Sequence, residues 1–264
     1  METLILVLVG GLVGLTTVLF GFGGGFVTVP IVSVVDSALG GDAIRVATAT
    51  SALVMLVNAA VATASTRRNV LGALHGRAWL FALLAIGGGI GATAGRWAPD
   101  LLLRWGFVGY VGITVVDLLA RPGFFRPSSD APQRDRLRNA GMRTWLGLPI
   151  GAVAAFLGVG GSVMTVPMMR RAGASMQAAT ALANPLTLAI VTPAIVVTLF
   201  LPGHVRLDGG LIGAVDVRTA LALLGGAMPI IIALRRRPPR IPESIHAGGY
   251  VALLVAAGTV VALS

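Results

Sequence analysis

Of 264 residues, 56% are hydrophobic and 11% charged, with a mean hydropathy of +0.89. A soluble domain carries roughly 25% charged residues, so the composition excludes one, and the apolar runs do not alternate as barrel strands do. The net charge of +10 comes entirely from arginines set between apolar runs, which fits membrane topology and anionic headgroups and not nucleic acid; the absence of cysteine excludes disulfides, thiolate metal sites and cysteine nucleophiles.

In chain order, Leu4 to Phe20 is a first apolar run, read as a retained membrane helix because the Met-Glu-Thr start lacks a basic signal region. A glycine break follows, then a short run from Phe26 to Val35 and a polar connection from Asp36 to Arg45. Val46 to Ser65 is rich in Ala, Thr and Ser, which permits close helix packing. Arg67, Arg68, His75 and Arg77 form a basic turn. Ala78 to Gly95 is the fourth run, its Gly87, Gly88, Gly89 and Gly91 again suited to close packing. Trp97 and Trp105 flank a link and serve as interfacial anchors, and a fifth run extends from about Trp105 to Ala120. The stretch 121–143 is polar and basic, with a short helix expected near Gln133 to Ala140.

The second half repeats the plan. Trp145 to Leu157 leads to a second glycine break and to the short run Val163 to Met169. Gln177 to Leu201 is long, carries Pro185 and Pro193 and is expected to kink there. Leu211 to Leu234 is expected to open with an interfacial piece, because Asp216 and Arg218 lie in it, and Ile245 to Leu263 is the last run. The three histidines lie near helix ends without metal-ligand spacing and are read as solvated or interfacial.

The fold class is therefore an all-α polytopic integral membrane protein, organised as two five-segment inverted repeats with broken helices at Gly-rich motifs. The expected organisation is a first transmembrane repeat over 1–120, a basic cytoplasmic loop over 121–143 and a second transmembrane repeat over 144–264. An odd number of segments placed twice must take opposite orientations. Fifteen arginines then fall on the side of the central loop and five on the other, which puts that loop in the cytoplasm and both termini outside it.

The breaks are the candidate site. Gly21 to Pro30 reads GFGGGFVTVP and Gly158 to Pro167 reads GVGGSVMTVP, with the Gly-x-Gly-Gly start and the Thr-Val-Pro end in common. Several glycines together break an apolar helix, and broken backbone inside a bilayer is tolerated where it lines a cavity or is buried in protein. Each string ends one helix and starts another, leaving bare N–H groups at the positive end of a short helix dipole. The candidate substrate-binding residues are Gly21, Gly23, Gly24, Gly25 and Thr28 in the first string, and Gly158, Gly160, Gly161, Ser162 and Thr165 in the second. Thr50 and Ser51 are added from the third run, and Thr180 and Asn184 from its counterpart, with Thr50-Ser51 aligned to Thr180-Ala181. Asn58 lies two turns after Ser51. The competing reading is that the glycines only pack and the hydroxyls bond their own helix carbonyls. No catalytic constellation, metal set or cofactor motif is present, so an enzyme is not expected and no cofactor is called for.

These strings, the Ala-Thr-Ser-type segments after them and the basic turn Arg67-Arg68-Asn69-Val70 resemble the sulfite exporter family that includes the TauE and SafE proteins. The resemblance covers nearly the whole chain, the central loop least. It implies a secondary transporter of the inner membrane that exports small sulfur-containing anions, such as sulfite or sulfonates like sulfoacetate. Ser162 in place of a glycine, and Ala181 where a second serine is expected, are departures in the second half. A passive small-anion channel is the alternative, with an intramembrane enzyme or scaffold behind it. The expected partners are a small anionic substrate and membrane lipid, with a homodimer left open.

Overall fold

The computed structural model describes residues 2–29, 43–121, 123–125, 144–200, 211–212 and 215–263. Eleven α-helices are named here: α1 (Glu2–Phe20), α2 (25–29), α3 (Ala43–Ala64), α4 (Arg68–Leu71), α5 (Ala78–Trp97), α6 (Asp100–Ala120), α7 (Gly147–Phe156), α8 (Ser162–Arg171), α9 (Met176–Phe200), α10 (Val217–Arg236) and α11 (Glu243–Leu263). Seven of them (α1, α3, α5, α6, α9, α10 and α11) are long and apolar enough to cross a membrane, so the chain is an all-α, multi-pass membrane protein. The expected helix near Gln133 to Ala140, and the run from Pro30 through Val35, lie outside the described residues.

Length separates these helices from α7 and α8, at ten residues each. Ten residues rise about 15 Å, half the ~30 Å of a hydrocarbon core. Both ends of this pair lie at one membrane face. Gly147 at the start of α7 packs on Leu80 at the start of α5, where a Cβ would meet Leu80 O at 3.1 Å. Arg170 at the end of α8 reaches Phe124 just after α6 and Glu243 at the start of α11. The pair α7–α8 is thus a helical hairpin that dips in and returns. Exposed tryptophans mark the faces: Trp79 and Trp145 at the starts of α5 and α7, Trp97 and Trp105 at the other end of α5 and the start of α6. Trp79 and Trp97 are about 27 Å apart along α5, as interfacial anchors require.

Helices pair across the two halves through glycine. A Cβ on Gly10 would overlap Leu223 O, and one on Gly14 would lie 2.6 Å from Ala227 O. Gly147 meets Leu80 and Gly151 meets Leu84 in the same way. In each case the numbers advance together, so α1 runs parallel to α10 and α5 parallel to α7. Without a hydrophobic driving force in lipid, such backbone approach supplies the packing. Alanine at Gly91, whose Cβ would overlap Ala152 O, is expected to destabilise by about 1–3 kcal/mol as overpacking does. Alanine at Gly225, which has nothing within 4 Å, is expected to be neutral or to stabilise by up to ~1 kcal/mol through helix propensity. Melting of the two variants in detergent checks both.

Pro185 and Pro193 lie inside α9, which is one helix of 25 residues packed against α3 and α5; neighbouring helices make internal proline tolerable in a membrane. The stretch before α10 is a two-residue strand pair, Leu211–Ile212 with Val215–Asp216, and Asp216 caps α10 by accepting from the N–H groups of Arg218 at 3.0 Å and Thr219 at 3.2 Å. His246 is buried at 8% exposure, its ring against Leu19 O, and is not solvated.

Candidate functional site

Both glycine strings form sharp turns between helices. Gly21 and Gly158, and likewise Gly23 and Gly160, have φ of 75° and 67°, then 63° and 70°, a left-handed backbone that costs other residues about 1–2 kcal/mol. The short helices α2 and α8 begin at Gly25 and Ser162. The N–H groups of Gly23, Gly24, Gly25 and Phe26, and those of Gly160, Gly161, Ser162 and Val163, meet no acceptor among the described residues. These are the orphan donors that a helix start leaves.

The two breaks meet. A Cβ on Gly23 would lie 3.2 Å from Thr187 Cγ2 and 3.6 Å from Met55 Cγ; one on Gly160 would lie 3.1 Å from Thr187 Cγ2 and 3.2 Å from Met55 Sδ. Met55 is midway along α3 and Thr187 midway along α9, so the junction is deep in the bundle. Each break also leans on the long helix of the other half. Gly21 faces Thr180 and Ala183, with a Cβ 2.6 Å from Thr180 O, while Gly158 faces Thr48 and Ser51. This sets a register different from the expected one: Thr180 answers to Thr48, and Ala183 to Ser51. The packing is close. Residues 21–26 and 158–163 are all buried, and a Cβ at Gly161 would lie 2.5 Å from Ile190 Cδ1.

The candidate side chains divide into two groups. Thr28 donates to Gly24 O at 2.9 Å, Ser51 to Thr48 O at 2.9 Å and to Gly158 O at 3.3 Å, and Thr180 to Gln177 O at 3.2 Å. Thr50 accepts from the N–H of Asp216 at 2.9 Å, which ties the strand pair to α3. Against these, Ser162 Oγ, Thr165 Oγ1 and Asn184 Oδ1 are buried without a partner among the described residues, and so are Thr187 Oγ1 and both amide atoms of Asn58. Asn184 uses its Nδ2 on Thr180 O at 3.0 Å. Sequence reading missed Met55 and Thr187. The signal for Thr187 was its place three residues after Asn184, on the same face of the helix.

An aromatic chain lies beside the junction. Phe22 stacks on Phe26 at 4.9 Å and Phe26 on Phe107 at 5.4 Å; Tyr250 lies 4.9 Å from Phe22 and 5.5 Å from Phe124. The Tyr250 hydroxyl donates to Ser162 O at 3.1 Å, so one side chain touches both breaks. At the Trp79 face, Arg170 is 2% exposed. It donates to Phe124 O from Nε and Nη2 at 3.1 and 3.0 Å, to Ala174 O at 2.8 Å, and to Glu243, whose other oxygen accepts from the N–H of Met176 at 3.3 Å. Beside it Arg171 pairs with Asp117 at 2.6 Å. Among the described residues no cluster of side chains is arranged to hold a metal ion.

Residues 6–261 match the model of the family described as Sulfite exporter TauE/SafE. No curated protein and no solved structure matches the chain.

Proposed function

Because the chain belongs to the sulfite exporter TauE/SafE family, whose members are membrane transporters and not enzymes, we propose that it exports sulfite or a small sulfonate by alternating access at the junction of its two glycine breaks. One observation carries this reading: the glycine breaks of both halves, whose helix-start N–H groups meet no acceptor among the described residues, approach the same pair, Met55 and Thr187, deep in the bundle. Bare amides at a helix start favour an anion, and two such starts meeting at mid-depth are the binding plan of inverted-repeat transporters. The parallel packing of α1 on α10 and of α5 on α7 supports the inverted arrangement, since a first and a fourth segment run the same way only when the halves are opposed. With the Trp79 face cytoplasmic, as the arginine count favours, the termini lie outside the cytoplasm and the chain sits in the inner membrane.

The full burial of both breaks favours a carrier over a channel. Val215 joins Ala49, Ala52, Met55 and Val191 in one buried cluster, and the aromatic chain lies against both breaks. A carrier must bind and rearrange, so its flux saturates. Purified protein in liposomes loaded with sulfite or sulfoacetate is expected to release it with saturating kinetics. Release that rises linearly with concentration identifies a channel, and no release of either anion rejects the reading.

A further inference from the structure

Asn58 and Thr187 are fully buried, yet neither the Asn58 amide nor the Thr187 hydroxyl has a hydrogen-bond partner among the described residues. Buried polar side chains are nearly always paired, and each orphan calls for a cause. They sit on the two long helices that flank the junction, one from each half. Asn58 Nδ2 lies 2.9 Å from where a Cβ on Gly24 would be, and Thr187 Oγ1 lies 3.5 Å from the same point on Gly160. Asn58 therefore faces the first break and Thr187 the second, where the N–H groups that open the ten-residue α8 meet no acceptor among the described residues. Between them is Met55, one turn before Asn58 on α3. Its Sδ fills the place that a side chain on Gly25 would take.

We infer that Asn58 and Thr187 recognise the transported oxyanion, and that Met55 plugs the place between the breaks until the anion displaces it. This rests on the transporter reading above. An oxyanion accepts hydrogen bonds, and the Asn58 amide and Thr187 hydroxyl are neutral donors that need no formal charge in the membrane interior. Methionine suits the plug: it is unbranched and flexible, and it leaves no polar group of its own unpaired. The sulfite or sulfonate oxygens accept hydrogen bonds from the Asn58 amide and the Thr187 hydroxyl.

The test compares Asn58→Leu, Thr187→Val and Met55→Ala with the unaltered protein, using sulfite release from liposomes and melting in detergent. Losing one donor to an anion is expected to raise KM about tenfold in each of the first two variants, equivalent to ~1.4 kcal/mol. Their melting points without sulfite are expected to hold or rise, because an unsatisfied buried group has been removed. The stabilisation that sulfite gives the unaltered protein is expected to shrink in both. Met55→Ala is expected to lower KM several-fold. A KM unchanged in both donor variants, while the unaltered protein transports sulfite, overturns the assignment of Asn58 and Thr187. A melting point that falls with KM unchanged does the same and makes them structural. An unchanged KM in Met55→Ala overturns the plug. No sulfite release by the unaltered protein removes the transporter reading and this inference with it.

Discussion

Alanine at Gly24 is expected to abolish transport and to lower the melting point by on the order of 10 °C. The residue has φ of 98°, a conformation that costs a side-chain-bearing residue about 1–3 kcal/mol. Its new Cβ would lie 2.6 Å from Val13 Cγ1 and 2.9 Å from Asn58 Nδ2, adding about 1–3 kcal/mol of overpacking. At roughly 2–4 °C per kcal/mol for a chain of this size, the sum gives the shift stated. Insertion into the membrane is expected to be normal, since no long span is altered. The turn that presents the amides is what changes. The measurements are melting in detergent and sulfite release from liposomes, with Gly225→Ala as the silent control. A Gly24→Ala protein that melts and transports like the unaltered one would mean that the first break is not held in the conformation described.

The second large effect is at Arg170. Leucine there is expected to cost about 3–5 kcal/mol, the usual penalty for removing one partner of a buried ion pair. The guanidinium is nearly fully enclosed and serves the carbonyls of Phe124 and Ala174 together with the Glu243 carboxylate. Without it, Glu243 keeps the N–H of Met176 at 3.3 Å among the described residues, and the Phe124 carbonyl loses the two donors that Arg170 supplies. Lysine keeps the charge but not the planar fork and is expected to fall between. The double variant Arg170→Leu with Glu243→Leu is expected to recover part of the loss, because no unpaired charge remains. Melting of the four proteins reads this directly. Equal losses in the single and double variants would place the energy in packing and not in the charge pair.

Both glycine breaks, and the spans that carry them, were legible in the sequence because glycine acts locally: several in a row break an apolar helix whatever surrounds them. The two strings also share one pattern, and the structure brings them to one junction. What the sequence hid is set by contacts far apart in the chain. Arg170 read as a topological charge, since nothing local says that Phe124 and Glu243 will enclose it. His246 read as solvated or interfacial for the same reason. Thr50 and Ser51 were aligned with Thr180 and Ala181 by residue type, whereas the turns at Gly21 and Gly158 select Thr180 with Thr48, two residues away from that alignment. Met55 carries no polar signal, and Thr187 looked like one more threonine in a helix.

The crossing of helices between halves bears on how the chain is made. The glycine face of α1 is covered by α10, and Gly10 meets Leu223, more than two hundred residues later. At roughly 5–20 residues per second of synthesis, α1 waits about 10–40 s for its neighbour. During that interval its small-residue groove faces lipid or the insertion machinery. Maturation must therefore come late and nearly all at once, when α10 emerges and fills the place beside α1.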